Sequence, residues 1–521
     1  MTDFLKKISL IPDKTDYKAL LISFIIINFT FLFHSFNFMW GNHDVQFVKD
    51  ELLLSSGLFE GRFTQFVPHR TLVNGQILPI LNNLLGLSFL TLGLWTLAKY
   101  WKLPKNILNY TLFITFFATQ PYTLSWLYFT FITLSCLLWV FLSILGLYIC
   151  ARINQSKNKI LLSVIGILCF YLPLGGYPPV INTIFVCLSA KITLDYIFEN
   201  KNLKTLFQTY IWTVINILIA AILFKLTLRF VNPDNVYNLE TTRPEEMFSK
   251  FISTIIISCK QFTISLPFME KSYKLTLLAM VLLSFISATI KAPNLIRKIM
   301  ALLFICITVW CAALTTFLVT PHTEYVARID FYGLAFIYAF AVHLLFSYKT
   351  PLLNSIGLLF MFILIPWNIL NDIHAQKIWK QGFDSEFQIL EDMYERIETH
   401  PQFDPNQKYK IYIAGDITLR PYYYHKKFEQ NEPFLLSLPY LAIWQGGPLL
   451  EFYSPYDYID YKNKLLPEDI TPKIHDFIMK DAEPWPRKNA LYIDSQTIFV
   501  IYNRYGLDEL KSKLKYLDSI K

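Results

Sequence analysis

Asp44, Asp50 and Glu51 fall in one short stretch of the chain, with His43 in front of them, Arg62, His69 and Arg70 behind, and long apolar runs on either side. A carboxylate at such a place can take a proton from a hydroxyl, because partial desolvation lifts its pKa toward a useful value. A guanidinium can clasp a departing anion through two parallel hydrogen bonds. Asp44 is the best-placed base, and His43 beside it can orient or share the proton. If the loop continues as helix, Asp50 and Glu51 lie about two turns further on and can assist. Arg62 follows Gly61, whose missing side chain allows close backbone approach. A second polar stretch holds Glu324 and Arg328, and Tyr177 stands in Gly175-Gly176-Tyr177-Pro178-Pro179, where its ring could stack on a sugar.

Each residue also has a blander reading. The acids could be solvated or paired charges, and Arg62, Arg328, His69 and Arg70 could anchor at lipid headgroups. Tyr177 could belong to an interfacial aromatic belt. For Asp44 the balance tips toward function, since carboxylates at a membrane edge beside histidine and arginine are rarely idle.

The elements that must position these residues follow from composition. Of 521 residues, 54% are hydrophobic and 17% aromatic, and the mean hydropathy of +0.37 exceeds that of a soluble enzyme of this size. Most of the chain belongs in lipid. The formal charge of +8 is spread over short connections between apolar runs and forms no block, a pattern that orients a membrane protein and argues against a nucleic-acid partner. The seven cysteines lack metal-ligand spacing, so no zinc or disulfide framework is implied. The first apolar run is too long for a signal h-region and stays attached as the first helix.

Charge-free runs count the spans, each needing about 20 apolar residues with every backbone group satisfied inside the helix. Residues 19–43, 71–98, 106–151, 160–190, 205–224, 275–290, 299–323, 331–348 and 350–371 carry no Asp, Glu, Lys or Arg. Two of these runs are long enough for helix pairs, turning at Gln120-Pro121 and at Gly175–Pro179. About eleven transmembrane helices result, in a membrane domain over residues 1–371 with a first outer loop at 41–76. Basic residues gather at alternate connections, from Lys6 and Lys7 through Lys99, Arg152 and Lys201 to Arg297, Lys298 and Lys349. This pattern puts the N-terminus in the cytoplasm and the loops with Asp44, Tyr177 and Arg328 outside. Apolar residues at helical spacing near 245–266 are bracketed by Lys250 and Lys260 too closely for a span, and read as an interfacial helix on the outer surface.

Residues 372–521 are richer in charge, tyrosine and proline, and hold no span-length apolar run. Strands are expected at 408–417, 490–494 and 497–502, the last two as a hairpin, with helices at 384–399, 472–482 and 507–518. This is a small α/β domain outside the membrane. It has no GxGxxG, P-loop or DxD triplet to hold a nucleotide-sugar.

An enzyme whose reactive loop faces outward has no nucleotide-sugar on that side, so a glycosyl donor there must be lipid-linked. Transfer from a polyprenyl phosphate needs a base for the acceptor hydroxyl and cations for the departing phosphate, the roles open to Asp44 and to Arg62 with Arg328. A single displacement would invert the anomeric carbon. The order of Asn42-His43-Asp44, Gly61-Arg62-Phe63, Leu174-Gly175-Gly176-Tyr177-Pro178 and Arg328 resembles the bacterial O-antigen glucosyltransferases of serotype conversion, multispanning proteins of the wider GT-C class. The resemblance covers the membrane part of the chain. It implies glucose transfer from undecaprenyl-phosphate glucose to a lipid-linked O-antigen or similar surface glycan, at the periplasmic face of the bacterial inner membrane, with Asp44 as the catalytic acid of the first outer loop. Family members often carry a second acid where this chain has His43, so a divalent cation stays open as cofactor.

Two rivals come from other classes. A transporter or flippase of lipid-linked sugars predicts related halves and broken polar helices at the midplane, neither visible here. A non-catalytic surface-glycan assembly protein would need its spans only as an anchor, and eleven are excessive for that. The orientation has a direct test. In a Lys298→Cys variant, the thiol should react with a membrane-impermeant maleimide only after the cytoplasmic side is opened, and labelling from outside would refute the topology.

Overall fold

A computed structural model of the chain describes residues 10–37, 39, 57–58, 61–232, 244–262, 269–318, 327–347, 351–415, 459–461, 470–494 and 496–520. The chain divides into two compact units, Met1–Phe38 with Leu52–His374, and Met39–Glu51 with Ala375–Lys521.

The described residues of the first unit are mostly helical, and the last helix of this series runs past its boundary at His374. In chain order its helices are α1 (Lys14–Thr30), α2 (Leu32–Phe36), α3 (Val67–Val73), α4 (Pro79–Trp101), α5 (Ile107–Ala118), α6 (Pro121–Leu127), α7 (Thr130–Cys150), α8 (Lys159–Gly176), α9 (Val180–Phe198) and α10 (Leu203–Val231). After them come α11 (Met247–Lys260), α12 (Lys271–Lys291), α13 (Leu295–Cys311), α14 (Leu314–Leu318), α15 (Ala327–Tyr332), α16 (Leu334–Phe346) and α17 (Pro351–Glu398). Short polar side chains start several of them. Asp13 accepts the Thr15 and Asp16 amides at the head of α1, and Asn106, Asn202 and Asn294 each accept an amide of the first turn of α5, α10 and α13.

Among the described residues, seven helices are long and apolar enough to cross a membrane: α4, α7, α8, α9, α10, α12 and the first part of α17. Helices α5 and α16 are shorter and apolar. The polytopic helical character expected from the sequence is present, and every charge-free run holds helix. Several runs are interrupted in ways their lack of charge concealed. His69 and Arg70 sit in the separate helix α3, which ends where Asn74 and Gly75 turn left-handed (φ 53° and 73°) before α4 begins. The turn at Gln120 leads into the short helix α6. The run 331–348 is split at Gly333. In the other direction, the helix expected at 384–399 is no separate element, because α17 continues through Asp372 to Glu398. The charge at Asp372 marks the end of an apolar stretch, not the end of a helix.

One end of this unit is tied by ion pairs. Buried Asp16 accepts from Lys99 (3.4 Å) and Lys105 (3.2 Å). Asp195, also buried, accepts from Lys191 and Lys201 at 2.5 Å each and from the Tyr210 hydroxyl at 2.6 Å. Glu199 pairs with Lys102 and, at 2.9 Å, with Lys201. Although burial opposes it, those two ammonium groups hold the Glu199 carboxyl below its ordinary pKa. Arg297 reaches across to the Asn200 carbonyl at 3.0 Å. The ends of α1, α4, α9, α10 and α13 are thereby fastened together.

The second unit carries a four-stranded sheet of order β2-β1-β4-β3, built from β1 (Tyr409–Ala414), β2 (Ile459–Tyr461), β3 (Leu491–Asp494) and β4 (Thr497–Ile501). β1 runs parallel to β2 and β4, and β3 with β4 forms an antiparallel hairpin, pairing Asp494 with Thr497. Helices α18 (Pro472–Asp476) and α19 (Arg504–Ile520) help close its core, where Ile474, Ile478, Phe499, Ile501, Leu507 and Leu514 are buried together.

The three-partner carboxylate of Asp195 is the test of the ionic end. Asp195→Ala takes the carboxylate from buried Lys191 and one of two carboxylates from Lys201, and should cost on the order of 3 kcal/mol, read as a lower unfolding midpoint in detergent. An unchanged midpoint would show that the ion pairs contribute nothing net.

Candidate functional site

At the end of α8, two motifs that are far apart in the sequence meet. The segment after Gly61 (φ 71°) docks on the last turn of α8. The Thr64 amide donates to the Gly175 carbonyl at 2.9 Å, and the Thr64 hydroxyl to the Leu172 carbonyl at 2.6 Å. Phe63 lies against Tyr171 and Phe224, with ring centroids 5.7 and 5.9 Å apart. This packing requires glycine at 175, since a Cβ there would sit 2.5 Å from the Phe63 ring. At Gly176 a Cβ would meet the Trp139 indole nitrogen at 2.1 Å. The two glycines let an aromatic side chain press on each side of the helix end.

The consequence falls on Arg62. Its guanidinium carbon lies over the Tyr177 ring, 5.1 Å from the centroid, a cation–π contact that orients the fork without neutralising it. Tyr177 is 5% exposed and packs against Trp126 (4.9 Å, edge to face) and Tyr332 (5.4 Å). Trp126 comes from α6 and Tyr332 from α15. Arg328 lies one turn before Tyr332 on α15, so its backbone belongs to the helix that reaches Tyr177.

A second cation stands at the other end of α6. Lys274, 4% exposed, donates to the Tyr122 hydroxyl at 2.9 Å, the Gln261 carbonyl at 3.2 Å and the Tyr338 hydroxyl at 3.4 Å. Tyr122 and Trp126 are one turn apart on α6, so this short helix bridges the arginine and lysine clusters. Neighbouring Tyr273 donates to the Asn368 side chain at 2.5 Å, which in turn donates to the Phe116 carbonyl at 3.3 Å. Around α6, the side-chain amide of Gln120, the Thr123 hydroxyl and the indole nitrogens of Trp126 and Trp139 are buried without a hydrogen-bond partner among the described residues. Such groups are costly unless something polar meets them. Two oriented cations, an aromatic wall and a set of unspent donors suit a ligand that is anionic at one end and hydroxylated at the other.

The sequence-derived residues divide accordingly. Arg62 and Tyr177 are brought together. His69 is 1% exposed, and burial lowers its imidazole pKa, which suits a neutral packed ring better than a phosphate ligand. Arg70 is exposed on α3. His43, Asp44, Asp50, Glu51 and Glu324 lie outside the described residues. Among the described residues, no group of three or more acid, histidine or cysteine side chains could hold a metal ion. Sequence reasoning missed Lys274, Tyr122, Trp126, Tyr332 and Tyr338. The sequence signal was slight: Lys274 opens an apolar run after Glu270 and Lys271, as lysines do at other helix ends.

Gly175→Ala tests the docking. The added methyl must push Phe63 away, so activity that uses Arg62 should fall by roughly tenfold or more, the scale expected when a binding group is misplaced by about 1 Å. The chain should still purify as a folded monodisperse species, and full activity would show that Arg62 does not depend on this contact.

Comparison with known proteins then adds the family. No curated protein and no solved structure matches the chain. A family model described as Glucosyl transferase GtrII matches residues 50–365, more than half of the chain. The matched segment contains Arg62, Tyr122, Trp126, Tyr177, Lys274, Arg328 and Tyr332; His43 and Asp44 precede it, and the four-stranded sheet follows it. The chain belongs to the GtrII glucosyl transferase family, and with its apolar helices it is a membrane glucosyltransferase.

Proposed function

We propose that this glucosyltransferase moves glucose from a polyprenyl-phosphate donor to a lipid-linked O-antigen or another cell-surface glycan. The reaction takes place at the periplasmic face of a bacterial inner membrane. In this reading the chain crosses the bilayer about eleven times, with a cytoplasmic N-terminus and the sheet-bearing unit in the periplasm. The single observation that carries the reading is the guanidinium of Arg62 held over Tyr177 by the meeting of the Gly61-Arg62-Phe63 and Gly175-Gly176-Tyr177 segments, inside the region the family model matches.

Asp44 takes the proton of the acceptor hydroxyl, and the resulting nucleophile attacks the anomeric carbon as the phosphate departs. Arg62 and Arg328 stabilise the developing phosphate charge, which an arginine does through paired hydrogen bonds that strengthen as charge accumulates. His43 orients the base, and Asp50 and Glu51 assist it. Tyr177, walled by Trp126 and Tyr332, supports the sugar end. Leaving-group stabilisation is supplied by protein cations in this scheme, and a divalent cation is an addition to it rather than a requirement.

Asp44→Asn should abolish transfer from undecaprenyl-phosphate glucose while leaving expression intact, and normal turnover in that variant would reject the assignment. Arg328→Ala should raise the donor KM more than it changes acceptor use. Equal effects on both substrates would assign this arginine to headgroup anchoring instead.

A further inference from the structure

Helices α12 and α13 are joined by the short connection 292–294 and stand beside α11, and the three border an open apolar groove of about 640 Å³. Phe285, Ile286 and Thr289 line it from α12, Leu303 and Trp310 from α13, and Ser258 from α11. Its few hydroxyls are spent within their own helices: Ser258 donates to the Thr254 carbonyl at 2.8 Å and Thr289 to the Phe285 carbonyl at 2.9 Å. The wall therefore offers hydrocarbon contact and little else.

One end of this groove is polar. Helix α11 crosses from the α13 side, where Phe251 meets Trp310 (5.4 Å), to the start of α12, where the Gln261 carbonyl accepts from Lys274. Cys259 lines the groove and stands two residues from that carbonyl. Along α12, Phe285 follows Lys274 by eleven residues, which places it on nearly the same face about 16 Å away. The Lys274 ammonium and two phenol hydroxyls thus stand beyond the groove lining on the side where α11 ends, and one of those phenols, Tyr122, belongs to the short helix α6 that leads to Tyr177 and Arg62.

We infer that this groove holds the prenyl chain of the donor lipid, with Lys274, Tyr122 and Tyr338 at the phosphate end. The inference rests on the proposed function and deepens it by locating the donor's tail. Charge complementarity selects a lipid with an anionic head, and one channel bounded by three helices suits one chain rather than the paired chains of a phospholipid. The same arrangement delivers the phosphate to the end of the unit where Arg62 lies, so head and tail are bound by different helices of one site.

The test uses the full chain in nanodiscs with two donors, undecaprenyl-phosphate glucose and a water-soluble ten-carbon prenyl-phosphate glucose. Thr289→Trp and Ile286→Trp fill the groove. They should raise the KM for the long donor by roughly tenfold while changing that for the short donor less than about twofold, since only the long chain loses its hydrocarbon contacts. Equal effects on both donors, or none on either, would overturn the inference. A second measurement uses the wild-type chain: undecaprenyl phosphate should slow alkylation of Cys259 and Cys306 by N-ethylmaleimide, and phosphatidylglycerol at the same concentration should not. Equal protection by both lipids would identify an ordinary bilayer-lipid groove. If the wild-type chain uses neither donor, the proposed function fails, and thiol protection alone decides the groove.

Discussion

The account depends on the close approach of one loop to one helix end. The Thr64 amide and hydroxyl reach backbone carbonyls of α8, and Phe63 occupies space that any side chain at position 175 would fill. Two hydrogen bonds contribute about 1 kcal/mol each, and the two ring contacts of Phe63 about as much again. The cation–π contact of Arg62 is worth less, about 0.5–1 kcal/mol. The guanidinium is therefore placed by its neighbours in the chain rather than by its own attraction to Tyr177.

The same contrast separates the two ends of the helical unit. At one, Asp16, Asp195 and Glu199 pair with five lysines, and the cations are spent on fastening helix ends. At the other, the contacts of Arg62 and Lys274 described above are to an aromatic face and to neutral oxygens. Phenols, rings and carbonyls lower the cost of burying a cation. The unspent donors around α6 lie on the same side. Stability and ligand chemistry are divided between opposite ends of one bundle.

Much of this was legible in the sequence, for identifiable reasons. Charge-free runs locate helices because lipid punishes unpaired charge, and the glycine-proline cluster at 175–179 marks a helix end because proline cannot continue the ladder. The strands at Tyr409–Ala414 and Thr497–Ile501 follow the apolar pattern expected of them. What the pattern could not give was pairing in space. Nothing in the spacing of Gly61-Arg62-Phe63 and Gly175-Gly176-Tyr177 says that they touch, and nothing marks Tyr122, Trp126 and Tyr332 among 31 tyrosines and 11 tryptophans. Lys274 read as the boundary of a span, and only the hydrogen bonds to Tyr122 and Tyr338 distinguish it from the other lysines at helix ends. The length of α17 was hidden because composition changes at Asp372 while backbone geometry does not.

The central claim is that glucosyl transfer occurs at the end of the bundle marked by Arg62, Tyr177 and Lys274. Proteoliposomes of uniform, protease-verified orientation, given undecaprenyl-phosphate glucose and a lipid-linked acceptor in one leaflet at a time, test it most directly. Glycosidic bond formation should require both lipids in the leaflet opposite Lys298. Turnover with both confined to the Lys298 leaflet would contradict the account.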